Sequence, residues 1–167
     1  SAQLVLVFAG TKLLKQKKHL NEIKKEYPKA YILGCSTAGE ICSTTISDDT
    51  IVLTAVNFKY TKVQCKKVRI KDPKQSFSAG QKLAKALKKP ALAHVFIISN
   101  GLVINGSTLT KGLVSELPKS VSVTGGLAGD GARFKQTLVS LGNESNPGSI
   151  VALGFYGKRL KVGWGSK

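Results

Sequence analysis

The sequence predicts a single α/β (α+β mixed) domain, built as a mixed, largely antiparallel sheet or as two stacked sheets, flanked by about three helices. Three observations predict it. At 167 residues the chain is long enough for one core, and residues 1–167 show no internal repeat, linker or composition break. Hydrophobic residues make up 42% and charged residues 21%, a balance that offsets chain entropy and excludes disorder. Short apolar runs rich in β-branched residues alternate with amphipathic stretches in the order β-α-β-β-β-α-β-α-β-β-β-β.

Leu4 to Ala9 is an apolar run closed by Gly10, and Thr11 then caps a helix carrying Leu13, Leu14, Leu20, Ile23 and Tyr27 until Pro28 stops it. Ala30 to Leu33 forms the second strand and opens into Gly34-Cys35-Ser36-Thr37-Ala38-Gly39-Glu40, small residues that read as a loop. Thr50 to Phe58 is almost continuously apolar, which predicts a strand covered on both faces. Its expected partner starts at Lys62, and the phase slip from Val63 and Cys65 to Val68 and Ile70 predicts a bulge. A helix follows from about Lys74 to Lys89 with Phe77, Gly80, Leu83, Ala84 and Leu87 inward, then a buried strand from Ala93 to Ser99. Ser107 or Thr108 caps a short helix with Leu109, Leu113 and Leu117, and Val121 with Val123 leads into Gly125-Gly126-Leu127-Ala128-Gly129-Asp130-Gly131. Three antiparallel strands, about Gln136 to Leu141, Ser149 to Tyr156 and Leu160 to Trp164, complete the chain.

The net charge is +17 and the isoelectric point about 10.0. Such an excess raises the question of nucleic acid. Only Arg69, Arg133 and Arg159 supply the bidentate fork that grips phosphates, and the lysines are spread along helix faces and loops. A solvated lysine surface is the expectation, and a polyanion-binding surface stands as a secondary alternative. No apolar run approaches the roughly 18 residues that cross a bilayer. No membrane partner is therefore expected, and three cysteines, Cys35, Cys42 and Cys65, without CxxC spacing, point to a reducing, cytoplasmic compartment.

Two carboxylates stand apart from the surface charges: Glu40, closing the glycine-bounded loop, and Asp130, set among four glycines. Backbone N–H groups at glycines approach a ligand closely, and a carboxylate among them can pin an amine while the N–H groups hold an anion. An amino acid carries both charges. Asn100-Gly101, just past an apolar strand, adds a third loop where α/β folds collect binding groups. The glycines do not follow phosphate-loop or dinucleotide spacing. Cysteines and histidines lack metal-ligand spacing, and no cofactor is implied. Cys35, Ser36 and Thr37 have no base beside them in sequence, since His19 lies in a lysine-rich helix and His94 opens a buried strand.

Taken together, Tyr31 to Ile41 with its GCSTAGE core, Ser99-Asn100-Gly101-Leu102, and Val123 to Asp130 with GGLAGD resemble the N-terminal FIST domain in order and spacing. The Phe77-to-Leu87 helix and the ending Val151 to Gly157 extend the resemblance over nearly the whole chain. It implies a cytoplasmic sensory module for signal transduction, without enzyme activity, binding a small ligand such as an amino acid. The family is usually followed by a C-terminal FIST domain, sometimes by signalling domains. Two departures matter: Asn100 stands where the family often has aspartate, and the chain stops at Lys167, which suggests a fragment or a protein completed by a partner. The ligand-binding residues expected from residues and resemblance together are Cys35, Ser36, Thr37, Gly39, Glu40, Asn100, Gly101, Gly125, Gly126, Gly129 and Asp130. Glu40 and Asp130 would face the amine, and Ser36 and Thr37 the carboxylate. The alternative is an amide-cleaving hydrolase on an αββα sandwich like that of the Ntn hydrolases, with Ser36, Cys35 or a processed N-terminus as nucleophile.

Overall fold

A computed structural model of the chain describes residues 1–163. In chain order it contains β1 (Leu4–Ala9), α1 (Thr11–Leu14), α2 (Lys17–Glu26), β2 (Tyr31–Ser36), β3 (Glu40–Cys42), β4 (Thr45–Ser47), β5 (Ile51–Val56) and β6 (Lys62–Arg69). A 3-10 turn at Pro73–Gln75 leads into α3 (Ser76–Leu87), followed by β7 (Leu92–Ser99), α4 (Gly106–Glu116), β8 (Ser122–Leu127), β9 (Val139–Leu141), β10 (Glu144–Ser145) and β11 (Ser149–Tyr156). The strands form a five-stranded sheet in the order β10-β9-β2-β1-β5, a four-stranded sheet in the order β6-β11-β7-β8, and the small hairpin β3-β4.

The two large sheets stack, and each carries helices on its outer face, so the expected stacked-sheet architecture is the one present. Period-2 alternation explains the layering. In β1, Val5, Val7 and Ala9 face Leu14 and Leu20 of the first helical pair, while Leu4 joins the layer between the sheets with Leu33, Ile98, Val151, Leu153 and Phe155. On the other side, Val95, Ile97, Ile150 and Ala152 pack beneath Leu83, Leu87, Leu109 and Leu113 of α3 and α4. Every residue of β11 is buried, as befits a central strand between two apolar layers. Two of the eight strand pairs are parallel, β1 with β2 and β7 with β8, and each is joined by a helical crossover, the connection a parallel pair requires. The helices α3 and α4 cross at two glycines, where a Cβ on Gly80 would lie 2.3 Å from the Leu109 carbonyl and one on Gly112 2.1 Å from that of Phe77.

Several local expectations are corrected. The first helix breaks between Leu14 and Lys17, with Gln16 extended and no side-chain cap from Thr11, because Gly10 holds the capping position. Leu14 and Leu20 would lie about 120° apart around one continuous helix, and the break returns both to the core. The second strand continues through Gly34, Cys35 and Ser36, since Phe8 and Ala9 of β1 extend the ladder to Cys35 and Ser36. Helix α4 starts early because Asn105, with its side chain accepting from Thr108 N at 2.9 Å, outcompetes Ser107 and Thr108 as the cap.

The strand at Thr50 to Phe58 is not covered on both faces: β5 is an edge strand whose Leu53, Thr54 and Ala55 are exposed. It does not pair with β6, which belongs to the other sheet. Nor does β6 bulge, for its register against β11 is unbroken from Lys62 to Arg69. Val63 and Cys65 point between the sheets while Val68 and Ile70 point to the helices, so the phase slip marks a change of core and not an inserted residue. The last strands are not neighbours, because β9 pairs with β2 and β10 while β11 pairs with β6 and β7. Residues 160–163 form no strand, and Trp164 lies outside the described residues. Among the described residues no helix is long and apolar enough to cross a membrane.

Candidate functional site

Strands β1, β2, β7 and β8 finish at one end of the sandwich, where four loops meet. Ser36 ties them together. Its backbone oxygen accepts from Gly129 N at 2.9 Å, its hydroxyl donates to the Gly129 carbonyl at 2.6 Å and accepts from Leu138 N at 2.8 Å. The two glycine-bounded corners, 93 positions apart, therefore touch, and a Cβ on Gly129 would lie 3.3 Å from Ala38 N.

Beside this junction opens a pocket of about 340 Å³, lined by Gly10, Thr37, Ala38, Gly39, Glu40, Asp48, Asp49 and the loop from Asp130 to Arg133. The hairpin of β3 and β4 puts Asp48 and Asp49 there, folding them back beside Gly39 and Gly10. Asp49 adopts a left-handed backbone with φ of 52°, a conformation that aspartate tolerates better than most residues.

Glu40 is buried, and its carboxylate is fully engaged: one oxygen accepts from the Thr37 hydroxyl, the other from Thr50 N and the Thr50 hydroxyl, both at 2.9 Å. Burial opposes the charge, yet the hydrogen bonds from Thr37 and Thr50 outweigh it and hold the carboxyl below its ordinary range. A carboxyl depressed in the folded state contributes stability above the unfolded pKa, about 4.3, and that contribution is lost as pH falls through the lower folded value. Acid titration of unfolding by urea should therefore show stability falling below about pH 4.3, with a shallower fall in Glu40→Gln, which itself loses roughly 1–3 kcal/mol at neutral pH. Equal slopes for both proteins would show that Glu40 carries none of it.

Asp130 is likewise turned inward. Its oxygens accept from Phe134 N at 3.1 Å, Lys135 N at 2.7 Å and Gln136 N at 2.9 Å, and the bond from Gln136, aided by those from Lys135 and Phe134 and by Arg133, holds its carboxyl below the usual range despite burial. Arg133 donates through Nε to the Asp130 carbonyl at 2.7 Å and through Nη2 to the Thr11 hydroxyl at 3.4 Å. The loop is thus wound around Asp130 and displays Arg133 outward.

The remaining expected residues divide. Asn100 is buried, accepting from Leu102 N and Val103 N and donating to the Thr137 carbonyl at 2.8 Å, a donation that aspartate could not make without a proton. Gly101 donates to the Thr137 hydroxyl at 2.9 Å. Cys35 faces the layer between the sheets, its thiol pushed up to about 12 by burial. Gly125 and Gly126 lie within β8 and line a separate cleft with Leu109, Thr110 and Leu127. Of the expected residues Thr37, Gly39, Glu40 and Asp130 are among the pocket's walls, and Cys35, Ser36, Asn100, Gly101, Gly125, Gly126 and Gly129 are not. Asp48, Asp49, Gly10 and Arg133 are, and sequence reasoning passed over them. The signal was the short Ser43-Thr44 turn between alternating residues, which returns the chain to its start.

Among the described residues neither Ser36 nor Cys35 is poised as a nucleophile. The Ser36 hydroxyl is spent on Gly129, and both ring nitrogens of His94 are taken by hydroxyls of β8, Ser122 at 2.7 Å and Thr124 at 3.0 Å. Burial, only partly offset by Ser122, holds the His94 imidazole below its ordinary range, as for a structural histidine.

Stacked sheets between helical layers, with loop ends gathered around a charged pocket, define an α/β sandwich with an end site. The chain belongs to the FIST N domain family, whose model matches residues 3–167; this is a family of signal-transduction sensory domains. No curated protein matches the chain. Among solved structures it is similar to thiamine-monophosphate kinase from Stenotrophomonas maltophilia K279a, at 11% identity and a TM-score of 0.34, over 93% of this chain and 45% of that one.

Proposed function

We propose that the domain is a cytoplasmic sensor whose pocket between the Thr37–Glu40 turn and the Asp130–Arg133 loop binds a small zwitterion, an amino acid. One observation carries this reading: a single hollow is lined by two exposed carboxylates, Asp48 and Asp49, and by an exposed guanidinium, Arg133. Those are the complements of an ammonium and a carboxylate group. Glu40 and Asp130, whose oxygens are committed internally, shape the walls, while Asp48 and Asp49 receive the amine and Arg133 the carboxylate. The signal passes to a C-terminal FIST domain or another downstream signalling domain.

A thermal-shift screen of amino acids tests it. A ligand at a hundred times its dissociation constant stabilises by about 2.7 kcal/mol, which raises Tm by roughly 5–10 °C in a domain of this size. Asp49→Asn and Arg133→Gln should each abolish the response to the amino acid that shifts the wild type. Undiminished shifts in both variants, or none from any amino acid in the wild type, sink the assignment.

A further inference from the structure

Alongside the zwitterion pocket runs a larger cleft of about 570 Å³, walled by α1 and the turn after it on one side and by the loops at Asn100–Val103 and Arg133–Thr137 on the other. Four cations ring it: Lys12 and Lys15 from the first wall, Arg133 and Lys135 from the second. All four are exposed. Among the described residues the ion pairs are Lys67 with Glu144 and Lys85 with Glu116, so none of the four has a carboxylate partner. The one acid in the lining, Asp130, turns its oxygens to the N–H groups of Phe134, Lys135 and Gln136.

Lysines on a convex helix face repel one another weakly through water, but four cations around a concavity with protein walls share one focused field. That field is relieved by an anion of matching multiplicity. Arg133 arrives oriented, since the bonds to Asp130 and Thr11 fix its plane and leave further N–H groups to donate. Among the described residues the side chains lining the cleft include no aromatic on which bases would stack, the exposed Phe134 of the same loop not being one of them, and a hollow of this volume suits a small molecule better than a strand of nucleic acid.

We propose that this cleft binds a small polyanion, a molecule carrying two or more negative charges on phosphate or clustered carboxylate groups, held by Lys12, Lys15, Arg133 and Lys135. The inference does not rest on the amino-acid reading of the neighbouring pocket, and its test leaves Arg133 in place so that the two stand or fall separately.

The experiment is calorimetric titration of the full chain with pyrophosphate and with citrate, each against sodium chloride of equal ionic strength. Three proteins are compared: wild type, the Lys12→Ala/Lys135→Ala variant, and a Lys111→Ala/Lys119→Ala control that removes the same charge from α4 and the turn after it. Saturable binding of at least one probe to wild type and control, weakened at least about fivefold in the cleft variant, is the expected result. Which probe binds more tightly distinguishes phosphate from carboxylate chemistry. Equal weakening in cleft variant and control would mean that the anion only screens the charge of +17 and would overturn the site. So would absence of binding by both probes, or binding of a single-stranded oligonucleotide alone with no loss in the cleft variant, which would give the lysines to nucleic acid.

Discussion

Ser36→Ala is expected to cost roughly 2–4 kcal/mol of folding stability, lowering Tm by roughly 5–15 °C, although it deletes one oxygen atom. The hydroxyl is wholly buried and serves two partners, donating to the Gly129 carbonyl and accepting from Leu138 N. Alanine leaves both backbone groups without a partner in a place water does not reach, and a buried polar group left unmade costs the full desolvation penalty. Because Gly129 anchors the corner that leads to Asp130, the loss also loosens the pocket. Urea denaturation measures the first effect. Faster hydrogen exchange at Leu138 N, beyond that of the sheet interior, reports the second. A variant that unfolds at the wild-type midpoint would show that the serine is dispensable to the junction.

The second large effect is expected at Gly101→Ala. A Cβ there would lie 2.1 Å from the carbonyl oxygen of Ala128, whose own N–H donates to Ser99 O at 2.8 Å. The obstacle is backbone, not the end of a flexible side chain, so the ends of β7 and β8 must part or the substitution is refused. Overpacking against a fixed carbonyl should cost at least about 3 kcal/mol, a fall in Tm of roughly 6–12 °C. Gly126→Ala is the companion measurement, because nothing lies within 4 Å of the corresponding position. It should change stability by no more than about 1 kcal/mol. Similar losses at both positions would contradict the close approach at Gly101.

Layering was legible in the sequence wherever both faces of an element were apolar. The runs at Leu4 to Ala9, Ala93 to Ser99 and Ser149 to Tyr156 predicted strands, the second of them buried, because period-2 alternation between two apolar faces looks continuous. The same appearance misled at Ile51 to Val56, for an apolar run does not say whether a strand is central or at an edge. Partner choice was illegible for a related reason. Short loops suggested hairpins for β5 with β6 and for β9 with β11, but a sandwich uses such loops to carry the chain from one sheet to the other. In the site, the meeting of Ser36 with Gly129 followed from glycine-bounded corners at strand ends. The roles of Glu40 and Asp130 did not, since a carboxylate among small residues looks the same whether it faces a ligand or its own backbone. Only the hydroxyls of Thr37 and Thr50 and the Thr50 N–H around Glu40, and the N–H groups of residues 134–136 around Asp130, decide it.

The strand β11 lies between β6 and β7, although it is made some fifty residues after β7 ends. A chain emerging from the ribosome must hold those two earlier strands apart, their inner edges bare, until the middle piece arrives. Assembly of that half is thus deferred until residues 149–156 have been made, a high-contact-order arrangement that folds slowly and leaves sticky edges exposed meanwhile. An excess of like charge on the growing polypeptide suits that wait, keeping unfinished copies from joining one another.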